Sequence, residues 1–320
     1  MRRQTGFFRV RQVRYGSVTT TVVLLICLIV AGMSARAYLD ASGELGKLTA
    51  RATGEVTQYD SQRHPDVIEV GWQLKNGKRI STAVPLAGSG YPVGTRTEIA
   101  YDPHQPRHAI IPGAKLLVVI DRASSGVVFG LLVALIVAAV TGWVLLTRSR
   151  LRRLPTRQFE LRRVRFQRGL LARSWLELDD NPQRWIPVYF EPELMTLPSP
   201  ATGQVHGDPR RNRLVAVQAA RADGSSVLLY PSGGVARNEP RGRRLDNPTK
   251  PDDHTTLRAA RAASLGRQLR VDAPLIVPAP FVGAFWAFVD DSGFEGWLGA
   301  TAVTAALGLW VAAIRGSDPS

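Results

Sequence analysis

Apolar residues collect in four blocks along the chain, and polar segments lie between them. The blocks run over 17–39, 125–147, 273–289 and 294–314, with charges only near their ends. A helix that crosses the ~30 Å hydrocarbon core of a bilayer needs about 20 residues at about 1.5 Å each, and a charge at its centre costs roughly 2.5–3.5 kcal/mol. We therefore predict four transmembrane helices over these ranges, TM1 to TM4.

Two of the four blocks have a second interpretation. TM1 follows a basic flank and contains Ala35-Arg36-Ala37, which fits the small-x-small pattern of a signal-peptide cleavage site. TM3 is short and contains Pro274, Pro278 and Pro280, as a kinked span or a re-entrant segment does. Cleavage within TM1 and re-entry of TM3 both stay open as alternatives to four permanent spans.

The segment between TM1 and TM2, residues 40–121, alternates apolar and polar positions with the period of two that is typical of β-strands. Ile68, Val70 and Trp72 fall on one face of such a strand. Asn76-Gly77 follows, and Asn-Gly between two alternating runs favours a hairpin with a type I′ turn. We predict a small all-β domain here, either a barrel or a sandwich.

After TM2 the chain returns to short apolar runs divided by turn residues, which predicts a second small β domain over 148–235. Residues 236–251 are polar and proline-rich, so we expect a linker. Residues 252–271 have helical periodicity and begin with Asp252 or Asp253 as the cap. The predicted fold class is an α+β membrane protein with four transmembrane helices and two small all-β domains outside the membrane.

Charge adds an orientation to this organisation. The chain of 320 residues has a net charge of +15, and its arginines concentrate before TM1 and after TM2. Cytoplasmic loops carry the excess of Lys and Arg, so we predict cytoplasmic tails at 1–16 and 315–320, an exported 40–121 domain and a cytoplasmic 148–271 segment. The single cysteine, Cys27, excludes an intramolecular disulfide.

The arginines next to TM2 are also the candidate binding residues. Basic side chains at the inner surface attract anionic lipids, each by about 1 kcal/mol. We predict lipid-headgroup contacts for four residues: Arg148, Arg150, Arg152 and Arg153. No helix-turn-helix, zinc finger or aromatic RNA-binding motif accompanies the charge, so we expect no nucleic-acid partner.

The exported segment ends in "YPVGTRTEIAYDPHQPRHAII". This run, after the Asn-Gly hairpin and between two membrane helices, resembles the bacterial membrane-domain family of unknown function with serial number 3592. The likeness covers the N-terminal half only, about Ser17–Thr147, and implies no reaction. The positions here that match the family's pattern are Gly94, Tyr101, Asp102 and Pro103, which we interpret as structural: Asp before Pro favours a turn, and the tyrosine closes the core face.

The sequence contains no phosphate-binding loop, nucleophile elbow or HExxH motif. His64, His104 and His108 are interpreted as exposed loop residues, because prolines prevent the helix that would align the last two. We predict no metal, no cofactor and no catalytic residue. The function predicted is a non-catalytic, multi-pass scaffold of the bacterial inner membrane, with envelope membrane proteins as partners.

Two alternatives to this function stay open. One is an auxiliary subunit of an envelope transport or polymer-assembly complex. The other is an enzyme that acts on phosphorylated lipids through its arginine clusters and loop histidines.

Overall fold

A computed structural model describes residues 10–59, 66–88, 91–180, 182–220, 225–247 and 252–320. It is an α+β structure. The helices are α1 (Arg11–Lys47), α2 (Lys115–Ser149), α3 (Asp253–Ala262), α4 (Leu265–Asp272), α5 (Ala279–Val289) and α6 (Gly293–Arg315). The strands are β1 (Ala50–Tyr59), β2 (Val67–Gln73), β3 (Arg79–Pro85), β4 (Arg96–Tyr101), β5 (Ala109–Ile110), β6 (Thr156–Arg168), β7 (Leu171–Leu178), β8 (Arg184–Val188), β9 (Ala201–His206), β10 (Ala216–Ala220), β11 (Ser226–Leu229) and β12 (Arg243–Asp246).

The chain forms two compact units. The larger one, which we call the barrel unit, combines the first 26 residues, as far as they are described, with Ala134–Ser320. The smaller one, the sheet unit, is Cys27–Val133. Each unit contains one β-sheet together with parts of the apolar helices.

Three helices in the described part of the chain, α1, α2 and α6, are long and apolar enough to cross a membrane. The predicted TM1, TM2 and TM4 lie within them. TM3 differs from the prediction, because α5 has 11 residues and spans only about 16 Å at 1.5 Å per residue. It reaches a membrane-spanning length only together with Leu265–Leu275, from which it is bent by 44°.

Glycines allow α5 and the segment before it to pack closely against α6. A Cβ atom on Gly283 would lie 2.1 Å from Oγ1 of Thr301, and one on Gly308 would lie 2.8 Å from the carbonyl oxygen of Leu275. Both distances are shorter than any real contact, so glycine is required where these backbones meet. The hairpin therefore depends on its small residues for its packing.

The sheet unit holds a five-stranded antiparallel sheet with the order β3-β2-β1-β4-β5. Its core contains Val56, Ile68, Val70, Trp72 and Ile99, which confirms the face predicted for β2. Helix α1 continues to Lys47, and α2 already begins at Lys115. The β domain is thus shorter than the 40–121 expected, because both membrane helices extend into that range.

The predicted hairpin is present, but its turn type was wrong. Only Gly77 of the Asn76-Gly77 pair has a positive φ, of 81°, whereas a type I′ turn requires positive φ at both residues. The amide of Gly77 donates to Leu74 at 2.9 Å, and Leu74 in turn donates to Lys78 at 2.9 Å. The connection is a three-residue loop that ends in a left-handed glycine.

The barrel unit contains a sheet with the order β11-β10-β9-β6-β7-β8, and β12 pairs with β6. The segment after β11 returns to β8: Ser232 donates to Pro187 at 2.8 Å, and Ala236 donates to Trp185 at 2.8 Å. The sheet is therefore nearly closed into a barrel, as predicted for this segment. Twelve buried apolar residues fill it, among them Leu161, Leu176, Ile186, Val205 and Leu229.

Three details of the barrel unit differ from the expectations. Strand β9 was not predicted, although it joins β6 to β10. The expected linker contains β12, while its residues 248–251 lie outside the described part of the chain. The expected single helix over 252–271 is two helices, α3 capped by Asp252 and α4 capped by Ser264.

Candidate functional site

The barrel unit contains a dense group of charged and polar side chains where the C-terminal end of α6 meets the barrel. Helix α6 ends at Gly316, whose φ of 73° turns the chain towards β7. A Cβ atom there would lie 2.7 Å from Cβ of Ser232 and 2.8 Å from Cδ1 of Tyr189. Ser317 then forms a bridge with Arg173, and the amide of Asp318 donates to Ala172 at 2.9 Å. The last residues of the chain thus add to the edge of β7.

A buried ion pair fixes this C-terminal segment. Nη2 of Arg163 donates to Oδ2 of Asp318 at 2.8 Å, and the two side chains are 4% and 0% exposed. Ser174 donates its hydroxyl to the same oxygen at 2.6 Å. Burial acts to raise the pKa of Asp318, but the positive charge of Arg163 and these hydrogen bonds hold it below its ordinary value. The carboxylate is therefore charged at neutral pH and fully partnered.

A second buried network joins α4 to α1 and to the same C-terminal segment. The hydroxyl of Tyr15 donates to Oδ2 of Asp272 at 2.7 Å, and Nε2 of Gln268 donates to that oxygen at 3.2 Å. Gln268 also hydrogen-bonds to the side chain of Ser317. Gln268, Asp272 and Ser317 are each 0% exposed. Three distant parts of the sequence are therefore connected through one amide and one carboxylate.

Glu191, which follows β8, faces the first turn of α1. The backbone N–H groups of Arg11 and Gln12 hydrogen-bond to its carboxylate. A negative charge is favoured there, because the first N–H groups of a helix lack partners within the helix. Burial is nevertheless the largest influence and, with the neighbouring Glu193, raises the pKa of Glu191 to about 7. This carboxyl group therefore changes charge near neutral pH.

Three arginines converge beside Tyr189. Arg148 lies at the end of α2 with its Cζ 4.6 Å from the centre of the Tyr189 ring, and its guanidinium also donates to the Tyr189 hydroxyl. Arg173 on β7 donates to Oγ of Ser232 at 3.0 Å. Burial, followed by the positive charges of Arg315 and Arg148, lowers the pKa of Arg173 to about 10. We call Arg148, Arg173 and Arg315 the arginine triad.

The four arginines predicted to contact lipid headgroups do not share one environment. Arg148 is 6% exposed and belongs to the triad. Arg152 is half-buried and hydrogen-bonds to Tyr230. Only Arg150 and Arg153 are exposed. Headgroup contact therefore remains a prediction for all four residues, although Arg148 also packs on Tyr189.

Several other arginines of the basic clusters form ion pairs within the barrel unit. Arg244 contacts Glu177 and Glu239, each at 3.0 Å, and Asp246 at 2.8 Å. Arg210 contacts Asp180 at 2.6 Å. The number of arginines in these clusters thus overstates the number that are free to bind a ligand.

The motif residues of the sheet unit occupy structural positions. Tyr101 is 6% exposed, and its ring centre lies 6.0 Å from that of Trp72. Oδ1 of Asp102 accepts from the amide of His104 at 2.8 Å, closing the turn that contains Pro103. Gly94 has a φ of 88° and donates to Val56 at 2.8 Å. Each residue shapes the β4 edge rather than a pocket.

The predicted histidines do not form a metal site in the described part of the chain, where no group of three or more His, Cys, Asp and Glu residues converges. His104 is exposed, and Nε2 of His108 lies 3.7 Å from Glu44. His64 lies outside the described residues. A groove of about 440 Å³ on the sheet unit contains one carboxylate, Glu69, and one guanidinium, Arg107.

A small cavity lies next to the arginine triad. It is lined by α1, α2, α6 and the barrel, including Gln12, Thr141 and Arg148. Its volume of about 20 Å³ is enough for roughly one water molecule. The cavity is therefore too small to hold an organic ligand.

Sequence reasoning missed the residues that organise this junction. Asp318 and Asp272 have no motif around them, and their partners are 155 and 257 residues away. One sequence signal for the Arg163–Asp318 pair was available. Arg163 lies two positions after Leu161, so the two side chains share the buried face of β6. A buried arginine requires a partner for its charge.

Comparison of the chain with protein-family models, with curated proteins and with solved structures finds no match in any of the three. The resemblance of the N-terminal half to the family of unknown function therefore stays a prediction.

Proposed function

We propose that the protein is a non-catalytic, multi-pass scaffold of the bacterial inner membrane that holds β domains for other envelope proteins to bind. A scaffold of this kind must hold its binding domain firmly at the membrane. The observation that carries the proposal is the attachment of the barrel to three apolar helices through buried polar contacts.

Each of the three helices has its own attachment. The start of α1 is joined by the hydrogen bonds of Arg11 and Gln12 to Glu191, and Val13 packs with Tyr189 and Tyr230. The end of α2 is joined through Arg148. The end of α6 is joined through the Arg163–Asp318 pair, and breaking a buried pair of this kind costs about 3–5 kcal/mol. The barrel is thus fixed to the helices at several separate points.

These contacts also support the proposed topology. The beginning of α1, the barrel, α3, α4 and the C-terminal segment contact one another directly, so we propose that they share one side of the membrane. The excess of arginine assigns that side to the cytoplasm. We propose that the N- and C-termini are cytoplasmic and that Asp40–Ile120 is exported.

The same contacts favour retention of the first helix. Tyr15 is 4% exposed and donates to Asp272, which is itself buried. Cleavage after Ala37 would separate Tyr15 from the exported segment that follows. We therefore propose that TM1 is a permanent anchor rather than a signal peptide.

Partner proteins have access to helix surfaces as well as to the β domains. Nothing lies within 4 Å of a Cβ atom placed on Gly142, and the neighbouring Trp143 is 70% exposed. Small residues next to an aromatic side chain allow a second membrane helix to approach closely. We propose that this face of α2 contributes to contacts with envelope membrane proteins.

The proposal is tested by site-specific photo-crosslinking in cells. A crosslinking amino acid is placed at exposed barrel positions such as Leu170 (59% exposed) and Leu245 (39% exposed), and at Trp143. Asp318→Asn removes the ion pair that attaches the C-terminal segment after α6 to the barrel. The matched control is Asp246→Asn, which changes an exposed aspartate that also pairs with an arginine. We expect a defined partner, crosslinked from the same positions and retained in stoichiometric amounts in mild detergent. Asp318→Asn should reduce the barrel crosslinks, and Asp246→Asn should not.

The proposal is wrong if the purified protein in lipid turns over a defined envelope substrate and point changes in one site abolish that turnover. A partner that conducts solutes or assembles a polymer would assign this chain the role of an auxiliary subunit in that machine.

A further inference from the structure

We propose that the arginine triad of Arg148, Arg173 and Arg315 binds a phosphate group, which in the cell is carried by an anionic lipid headgroup. The inference rests on the proposed membrane location, but it assigns a ligand and a site that the scaffold function does not require. Its residues come from the ends of two apolar helices and from a barrel strand.

The first argument is an imbalance of charge. Arg148 and Arg315 lie in the last turns of α2 and α6, where each helix end supplies roughly half a negative charge. Two such ends offset about one of the three positive charges. In the described part of the chain, the groups that act most strongly on Arg173 are Arg315, Arg148 and the neutral Tyr189, with no carboxylate among them. About two positive charges are left for a ligand.

Arg163 on the neighbouring strand provides the comparison. It is buried like Arg148, but Asp318 lies 2.8 Å from its guanidinium and compensates its charge. Ser174 and Ser320 also contact that carboxylate, so Asp318 is occupied on both oxygens. The same junction thus gives Arg163 a counter-ion, although Nε of Arg163 still lacks a hydrogen-bond partner, whereas no ion pair among the described residues neutralises the triad.

The second argument is the set of free donors. Nε of Arg148 and Nε of Arg173 are both buried and have no hydrogen-bond partner among the described residues, as is also true of Nε of Arg163. A buried N–H of this kind costs about 1–3 kcal/mol, and more in a charged group. Arg315 is exposed, so its whole guanidinium is available. Arginine is the side chain that best matches the oxygens of a phosphate, to which it donates two parallel hydrogen bonds.

The third argument is position. Arg148 follows the apolar run of α2, and Arg315 follows Ala312, Ala313 and Ile314 of α6. The first polar residues after an apolar helix lie at the depth of the lipid headgroups, where phosphate is concentrated. A lipid phosphate therefore reaches the triad without leaving its layer, whereas a free phosphate ion must come from solution.

The experiment measures retained lipid by native mass spectrometry of the full-length protein in a non-ionic detergent. Phosphatidylglycerol is compared with diacylglycerol of the same acyl chains, which lacks the phosphate, and inorganic phosphate is titrated in a separate series. The variants are Arg315→Gln and Arg315→Lys, both at an exposed position. Arg168→Gln is the matched control, because Arg168 is also exposed but lies at the end of barrel strand β6 rather than after an apolar helix. Thermal unfolding without lipid confirms that each variant is folded.

We expect phosphatidylglycerol to bind in preference to diacylglycerol, and Arg315→Gln to weaken this binding about five-fold, as for the loss of one basic group near a membrane. Arg315→Lys should retain part of the binding, and Arg168→Gln should change it much less. Binding of inorganic phosphate with the same dependence on Arg315 would support the site and identify free phosphate as its ligand. Equal losses in Arg168→Gln and Arg315→Gln, or equal binding of the two lipids, would overturn the proposal. Neither result would affect the crosslinking that tests the scaffold function.

Discussion

The attachment of the C-terminal segment depends on one buried ion pair, and Asp318→Asn tests it directly. The substitution keeps the shape of the side chain but leaves the charge of Arg163 without a counter-ion in a site that is 4% exposed. Removing one partner of a buried pair costs about 3–5 kcal/mol. In a unit of roughly 200 residues, 1 kcal/mol corresponds to about 2–4 °C in Tm. We expect Tm to fall by at least about 6 °C.

The measurement is thermal unfolding in a mild detergent, followed by tryptophan fluorescence. Asp246→Asn is the control, because Asp246 also pairs with an arginine at 2.8 Å but is 60% exposed. Exposed pairs contribute about 0–1 kcal/mol, so this variant should stay close to the wild type. Hydrogen exchange should show loss of protection at the amides of residues 316–318 in Asp318→Asn alone, since the amide of Asp318 donates to Ala172.

A double substitution and a pH series separate the pair from general damage. Arg163→Met combined with Asp318→Leu removes both charges, so its cost should be smaller than the sum of the single changes. Because the pKa of Asp318 is lowered in the folded state, its contribution is present above the unfolded value of about 3.8 and is lost as pH falls through the folded pKa. The difference between wild type and Asp318→Asn should therefore stay constant from about pH 5 to 8. A Tm within 2 °C of wild type, or equal to that of Asp246→Asn, would refute this reasoning.

Three further predictions concern other parts of the barrel unit. The pKa of Glu191 is about 7 in the folded protein, against an ordinary value of 4.5, so folding favours the neutral acid. The free energy of unfolding should therefore decrease by about 3 kcal/mol as pH rises from about 4.5 to 7. Glu191→Gln should remove that dependence in a pH series of unfolding curves. Gly283→Val should disrupt the α5–α6 hairpin, since even a Cβ atom has no space at this position. Gly142→Ala should leave the hairpin intact. Intramolecular crosslinking between α5 and α6 distinguishes the two variants. Tyr15→Phe should destabilise the protein by about 1–3 kcal/mol, because it removes a hydrogen bond from the buried carboxylate of Asp272, and a Tm equal to wild type would contradict it.

The sequence by itself determined the elements whose cause is local. A run of apolar residues predicts a membrane helix from its length alone, and α1, α2 and α6 contain three of the four predicted blocks. Alternation with period two located β2 and β3, because one face of each strand must be buried. Short apolar runs between turn residues located most strands of the barrel. The aspartate that caps α3 was also visible, since it lies next to the helix it caps.

The tertiary structure alone decided which charges are buried and which are free. Arg148, Arg150 and Arg163 look alike in the sequence, yet one packs on Tyr189, one is exposed and one pairs with Asp318. Residues 316–319, expected to belong to a short tail, are buried. The physical reason is that an ion pair depends on distance in space, and Arg163 and Asp318 lie 155 residues apart in the sequence. Local sequence patterns therefore predicted the helices and strands. The buried contacts that join α1, α2 and α6 to the barrel depend on residues far apart in the sequence, so no local pattern predicted them.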